Sequence, residues 1–318
     1  MSPCVAAITP SASFSQITHP ICSTHSYELG LLIMMTLIKY ALHPVILLCV
    51  IGAWLMNPES PELYLVVLLC VQLLLGTLEY WVPARLTWVV HAKEKITGIL
   101  IVLVLIVCSI SVAMLYAAFL SEPLARLRET LNLDFWPHDW PLVVQLFMAF
   151  ILSEFIWYGI HRAEHRWHIV WRVSGHGAHH SFKRLNALNF GLNHPLELFF
   201  LALPSAVVEL LFGVGAPAAG AAILMSTQAS IVHSNINLSA KGIGLFFTTN
   251  RYHLRHHSIV LEESNTNYGC ATIFWDRVFG SYVDGDTIEC GVGPTEPSLV
   301  EKLMMPIKEP TDVSVAPL

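Results

Sequence analysis

Four stretches of this chain are apolar for about as long as a bilayer is thick. They are residues 31–56, 63–82, 96–120 and 142–160. A helix needs about 20 consecutive apolar residues to cross the hydrocarbon core, because each residue advances it by about 1.5 Å. In lipid every backbone N–H and C=O must be satisfied within the segment, so such runs leave little choice but helix. A fifth apolar region, 196–232, is interrupted by Pro204 and by the glycines and proline around 213–217. Its halves are short for full spans, and it reads as a helical hairpin that crosses twice or re-enters. Only 13% of the residues are charged and 54% are hydrophobic, whereas soluble domains run near 25% charged. The spacing predicts an all-α fold, a multi-spanning membrane helical bundle.

Charge between the runs sets orientation. Residues 57–61 carry no Lys or Arg, and 85–95 carry Arg85, Lys93 and Lys95. In 122–140, Arg126 and Arg128 are outnumbered by acids, while 161–195 carries Arg162, Arg166, Arg172, Lys183 and Arg184. The alternation puts 85–95 and 161–195 in the cytoplasm. If the hairpin returns to its starting side, everything after Ser234 is cytoplasmic as well. The N-terminus has no basic stretch ahead of its first apolar run and does not read as a cleaved signal peptide. The net charge of −6 gives no electrostatic case for nucleic acid. Seven scattered cysteines without CxxC spacing point to neither a disulfide framework nor a zinc–thiolate site.

Histidine is the anomaly. Of sixteen, most fall between His161 and His257, in three clusters: His161-Arg-Ala-Glu-His165, His176-Gly-Ala-His179-His180 and His253-Leu-Arg-His256-His257. Residues at i, i+3 and i+4 of a helix are neighbours, so each cluster projects its imidazoles in one direction and all eight can converge. Burying that many imidazoles without partners costs several kcal/mol, and metal coordination removes the cost. Eight exceed what one ion holds, so two ions are the natural number. Ligand type alone does not choose the metal, since imidazole suits Fe, Zn, Cu and Ni. A membrane metal transporter or metal-binding protein is the rival from another class. Transporter ligands sit near mid-membrane, whereas these clusters adjoin Arg-rich segments.

Residues 141–283 resemble the fatty acid hydroxylase superfamily, which includes sterol desaturases and C4-sterol methyl oxidases. The matching segments, in the family's order, are SEFIWYGIHRAEH, WRVSGHGAHHS, NHPLE, IVHSNI, RYHLRHHS, TNYG and WDRVFGSY. The resemblance implies two iron ions, with zinc as a substitute in recombinant protein, held in a histidine-rich helical cap on the cytosolic side of the bundle. It implies His161, His165, His176, His179, His180, His253, His256 and His257 as ligands, His233 as a ninth and His194 as a possible tenth. Some superfamily hydroxylases carry another histidine four residues after the position of His233; here Asn237 stands there. Glu154, two turns before His161 on the same helix face, is a candidate to hydrogen-bond a ligand imidazole.

The implied activity is O₂-dependent oxidation of a C–H bond in a membrane lipid such as a sterol or fatty-acyl lipid, with hydroxylation expected and desaturation the alternative. No GxGxxG follows a strand-like run, so electrons must come from an external donor, cytochrome b5 or a ferredoxin with its reductase. On this reading the chain divides into an N-terminal tail (1–30), transmembrane helices (31–140), a catalytic domain (141–290) and a loosely packed C-terminal tail (291–318). Asp276–Arg277 reads as a structural ion pair, Trp157, Trp167 and Trp171 as an interfacial belt, and Tyr268 as a candidate to touch the metal pocket. Topology reporters inserted in 85–95, in 161–195 and at the C-terminus should all report cytoplasm, and one in 57–61 the opposite side. A C-terminus on the far side would separate the third cluster from the first two.

Overall fold

The computed structural model describes residues 21–308, with side chains from Glu28 onward. Most of the expected N-terminal tail and the last ten residues of the C-terminal one lie outside the described residues. Of the described residues, 21–37 fall in one unit and 38–308 in another; the second holds all three histidine clusters. Twelve α-helices occur in order among the described residues: α1 Ile21–Met56, α2 Leu63–Trp81, α3 Ala92–Leu131, α4 Leu142–Arg166, α5 His168–Ser174, α6 His176–His180, α7 Glu197–Phe212, α8 Ala216–His233, α9 Asn250–His256, α10 Leu261–Ser264, α11 Phe274–Phe279 and α12 Leu299–Met304. No sheet joins them, only isolated bridges such as Phe247 with Thr272.

Helices α1 to α4 are each long and apolar enough to cross a membrane. Their outward side chains are apolar too: Ile99, Leu103, Val107 and Ile110 of α3 are all exposed. In water such a surface would be an aggregation liability; in lipid it is the solvated surface. The chain is an integral membrane protein. Helix α3 begins four residues earlier and ends eleven later than its apolar run, absorbing much of the loop expected at 122–140, and it continues through Pro123.

The hairpin forms as expected, with its turn at Gly213–Gly215. Pro204 does not break α7, although it removes one backbone bond; packing against α3 and α4 supports the helix there. Helix α7 starts, at Glu197, beside the end of α4, and α8 ends, at His233, in the same place. The hairpin thus leaves and returns to one end of the bundle.

Its packing depends on small residues. Helix α8 lies against α2 and α4, and a Cβ on Gly220 would fall 2.6 Å from the Trp54 ring and 2.9 Å from Leu146. Trp54, Leu75, Leu146, Phe150, Leu224 and Ile231 fill the space around it, essentially without solvent contact.

Buried polar groups tie this bundle to the histidine-bearing loops. Glu79 of α2 accepts hydrogen bonds from Ala187 N (2.6 Å), Asn235 N (3.1 Å) and Lys95 Nζ (3.3 Å). One carboxylate therefore pins both the loop after the second histidine cluster and the loop after His233. His43 Nε2 meets Gln228 Oε1 at 2.7 Å, and Gln228 Nε2 donates to Thr248 O, just ahead of α9.

Up to residue 308 the C-terminal segment is packed rather than loose. Ser298 and Glu301 form a capping box that starts α12. Met305 is buried with Trp171, Ala178 and Val292. The Lys302 ammonium lies 3.5 Å over the Phe182 ring and 2.8 Å from Glu296. Repeated prolines pointed to a loose end; Trp171 and Ala178, which hold it, lie more than a hundred residues away. Substituting Gly220→Leu should destabilise the detergent-solubilised protein by about 1–3 kcal/mol through overpacking, read as a lower thermal unfolding temperature.

Candidate metal centre

Four helices end in histidine: α4 in His161 and His165, α6 in His179 and His180, α8 in His233, and α9 in His253 and His256. A helix C-terminus carries about half a negative charge, so four converging ends favour a cation by about 0.3–1 kcal/mol each. Between α5 and α6 the chain turns at Gly175, in the left-handed region (φ 76°). A Cβ there would lie 2.4 Å from the His194 ring, so the position needs glycine for both its backbone angle and its space.

The nine imidazoles gather into two buried groups. His161, His165, His176, His180 and His256 form one; His179, His233, His253 and His257 form the other. The groups adjoin, with the His180 and His257 rings stacked at 4.3 Å. The clusters do not each point one way, as the spacing alone suggests. In each HxxHH cluster the i,i+4 pair enters one group and the i+3 histidine the other: His176 and His180 against His179, and His253 and His257 against His256. The pattern divides the rings between two groups, the i+3 ring standing about 60–100° around the helix from its two neighbours.

Hydrogen bonds on the far side of the rings decide what their inner nitrogens can do. His161 Nδ1 faces Tyr268 O at 2.5 Å, His256 Nδ1 faces Thr266 O at 2.9 Å, and His176 Nδ1 faces Glu197 Oε1 at 2.6 Å. In the second group His233 Nδ1 faces Ala229 O at 2.7 Å. The carbonyls can only accept, and an ionised Glu197 likewise accepts, so with that acid charged each Nδ1 carries the proton and each Nε2 keeps a lone pair. Yet His161 Nε2 lies 3.0 Å from both His176 Nε2 and His256 Nε2, and His233 Nε2 lies 3.0 Å from His253 Nε2. The first three are lone pairs turned on lone pairs, which hydrogen bonding cannot satisfy. A cation among them can, and the residues present fit a metal centre. Burial, then mutual repulsion, holds His179, His180, His253 and His257 well below the usual imidazole range, and burial brings His256 to about 4. All five stay neutral at pH 7, the form that binds metal.

The tenth candidate is placed elsewhere. His194 belongs to neither group; its Nδ1 accepts from Leu196 N (3.1 Å) and its Nε2 donates to Leu303 O (3.1 Å). Both nitrogens serve the protein frame, and the ring ties the C-terminal segment to the cap. Glu154 does not reach an imidazole either. Its Oε2 accepts from Ala271 N and Thr272 N, each at 3.0 Å. Asp276 makes no pair with Arg277; it accepts from Tyr268 N, Gly269 N and Ser281 Oγ. Arg277 instead donates to Gly244 O and stacks on Tyr282. Two acids thus hold the loop 268–272, and that loop supplies the carbonyl that orients His161. Tyr268 acts there through its backbone carbonyl, and its ring also lies against His161, His165 and His256, as expected of a residue that touches the pocket.

Of the three tryptophans assigned to a belt, only Trp167 is exposed; Trp157 stacks on His161 at 5.0 Å and Trp171 packs against His165 and His176. Glu164 and Glu197 are fully buried beside His176, and neither was singled out from the sequence. The signal was there: each is a carboxylate at the edge of an apolar helix, where one needs a partner.

Comparison with known proteins agrees with this geometry. Residues 146–281 match the family model for fatty acid hydroxylase. That match takes in less than half of the chain and contains all nine histidines of the two groups. The chain is 36% identical over 152 residues to the ornithine lipid hydroxylase OlsE of Rhizobium tropici, covering 46% of this chain and 44% of that protein. It is 27% identical over 161 residues to the very-long-chain aldehyde decarbonylase GL1-8 of Oryza sativa subsp. indica, covering 50% and 58%. The chain thus spans about half the length of the curated relatives it matches. No solved structure matches it. Replacing His253 by Ala should lower bound metal from two ions per chain toward one, by metal analysis of purified protein, with the helical circular dichroism spectrum retained. A wild-type value near zero would sink the metal-centre reading.

Proposed function

We propose that this chain is a membrane oxidase that hydroxylates a C–H bond in a lipid, using two iron ions and O₂, on the cytosolic side of the membrane. The observation that carries the proposal is the pair of adjoining, carboxylate-free histidine groups, five and four strong, buried where apolar helices end. We assign His161, His165, His176, His180 and His256 to one ion and His179, His233, His253 and His257 to the other. Bound iron would supply the reduction of O₂ and the oxidising equivalent that an unactivated C–H bond demands. The balance is one oxygen atom into the alcohol and one into water, with two electrons and two protons from outside.

The chain's own residues do the remaining work. The Tyr268, Thr266 and Ala229 carbonyls and the Glu197 carboxylate fix ring orientation through Nδ1. Trp157 and Trp171 keep the rings dry. Helix α7 starts at the histidine site and runs through apolar residues, which supports a substrate that approaches from the bilayer. The likeness to OlsE favours a fatty-acyl lipid with a polar headgroup over a sterol. A metal transporter fits less well, because both groups sit at helix ends rather than along a span. The electron donor is a separate protein, cytochrome b5 or a ferredoxin with its reductase, and Arg162, Arg166, Arg172, Lys183 and Arg184 beside the site favour the cytosolic face.

The test is incubation of iron-loaded protein with ¹⁸O₂, a reducing system and host lipid extract. Iron must be confirmed first, since zinc ranks above ferrous iron in intrinsic affinity. A new lipid alcohol carrying one labelled oxygen is the expected product, and His179→Ala and His256→Ala should each abolish it. A new double bond without label would reassign the reaction to desaturation, and no oxygen-dependent product would undo the enzyme reading.

A further inference from the structure

The two histidine groups are not equally supported, and the difference lies in two acids. Glu197 opens α7, and Glu164 precedes the last histidine of α4. Both are fully buried, at 1% and 0% exposure. Glu197 Oε1 accepts from His176 Nδ1 at 2.6 Å, and Glu164 Oε2 stands 3.6 Å from the same nitrogen. The other Glu197 oxygen and both oxygens of Glu164 have no hydrogen-bond partner among the described residues. The nearby Ser174 hydroxyl is directed at Trp171 O. Among the described residues, the only ion-pair partner of either acid is His176.

Two carboxylates without a fixed cation are costly in a water-free interior. What answers them lies on the other side of His176. Its Nε2 is 3.0 Å from His161 Nε2 and 3.1 Å from His165 Nε2, inside the five-histidine group. That group contains no carboxylate, so an ion there brings positive charge with nothing in contact to balance it. The second group has no such backing. Among the described residues, Nδ1 of His179, His253 and His257 is buried without a hydrogen-bond partner, and only His233 is anchored, by a backbone carbonyl.

Building on the metal-centre reading above, we propose that Glu197, reinforced by Glu164, is the counter-charge and positioning group of the five-histidine site, and that it makes this site the tighter of two unequal sites. Glu197 holds the His176 proton on Nδ1, keeps Nε2 facing the ion and raises the basicity of the ring. Glu164 adds negative charge behind the same ring. The acids do not themselves hold an ion together with His176 Nδ1. Metal–ligand bonds of about 2.0–2.2 Å at a right angle would keep the two ligand atoms about 2.9 Å apart, and 2.6 Å is the spacing of a charge-assisted hydrogen bond.

The test is a Co²⁺ titration of metal-free, full-length protein in detergent, followed by visible absorption and by metal analysis after dialysis. Wild type should bind two ions in two resolvable steps. Glu197→Gln preserves shape and can still accept from Nδ1, but removes the charge. It should weaken the tighter step about 10–100-fold, shift its absorption bands and leave the weaker step in place. Glu164→Gln should weaken the same step by less. His253→Ala, which disables the four-histidine group, should leave the tight step alone, and adding Glu197→Gln to it should weaken that remaining step. Thermal unfolding of the metal-free variants separates this from a folding defect, because a merely structural role would lower the unfolding temperature without moving the bands. Unchanged affinities and bands in Glu197→Gln, or a change confined to the weaker step, would overturn the proposal and leave the metal centre standing. A third bound ion would overturn it as well, by placing metal among the acids. Wild type that binds no Co²⁺ would overturn both readings.

Discussion

Nine imidazoles packed nitrogen to nitrogen inside a membrane protein set the terms for everything around them. A buried acceptor left without a partner costs about 1–3 kcal/mol. Nine of them amount to on the order of 10–25 kcal/mol, as much as or more than a domain's whole stability. The frame that forces the rings together must therefore be rigid, and the ions that satisfy them must belong to the finished fold. The apolar bundle provides the rigidity. Trp54 and Leu146 close over Gly220, so α8 cannot slide against α4, and His233 cannot drift from His253.

The buried polar residues of the bundle serve that frame. Glu79, Gln228, Glu154 and Asp276 are each buried, and each hydrogen-bonds the backbone of a loop that carries or orients a histidine. None touches an imidazole of the two groups through its side chain. They form a layer outside the ligands and their Nδ1 partners, one that converts helix packing into ring positions. An acid within an apolar span is costly, and here the cost is offset by backbone N–H groups that would otherwise be unsatisfied near the membrane surface.

The comparisons and the geometry bear on different questions. The match to fatty acid hydroxylase covers residues 146–281 and includes the nine histidines, and the relatives are aligned over about half their length. They bear on the half of the chain that carries the histidines. The geometry speaks to the unequal surroundings of the two groups, carbonyls and a carboxylate behind one and a single carbonyl behind the other.

The sequence by itself determined the membrane class, four apolar runs, the hairpin and eight converging histidines, because hydrophobic length and i,i+3,i+4 spacing are local properties; the ninth, His233, followed from the family resemblance alone. It did not reveal that each HxxHH cluster divides between two groups, since that depends on how α6 and α9 face one another. Nor could it place His194, a candidate ligand through the family resemblance of NHPLE, which is occupied by Leu196 and Leu303. Glu154 lay on the expected helix face, yet the loop at 271–272 reached it before any imidazole did. The C-terminal segment looked loose because of its repeated prolines, and only the fold brings Trp171 and Ala178 to meet Met305. Glu164 and Glu197 are 33 residues apart in sequence, and their meeting at one ring was decided by the hairpin's return to the end of α4. Local spacing can say which residues are able to bind metal; which nitrogen faces the ion is a matter of partners far along the chain.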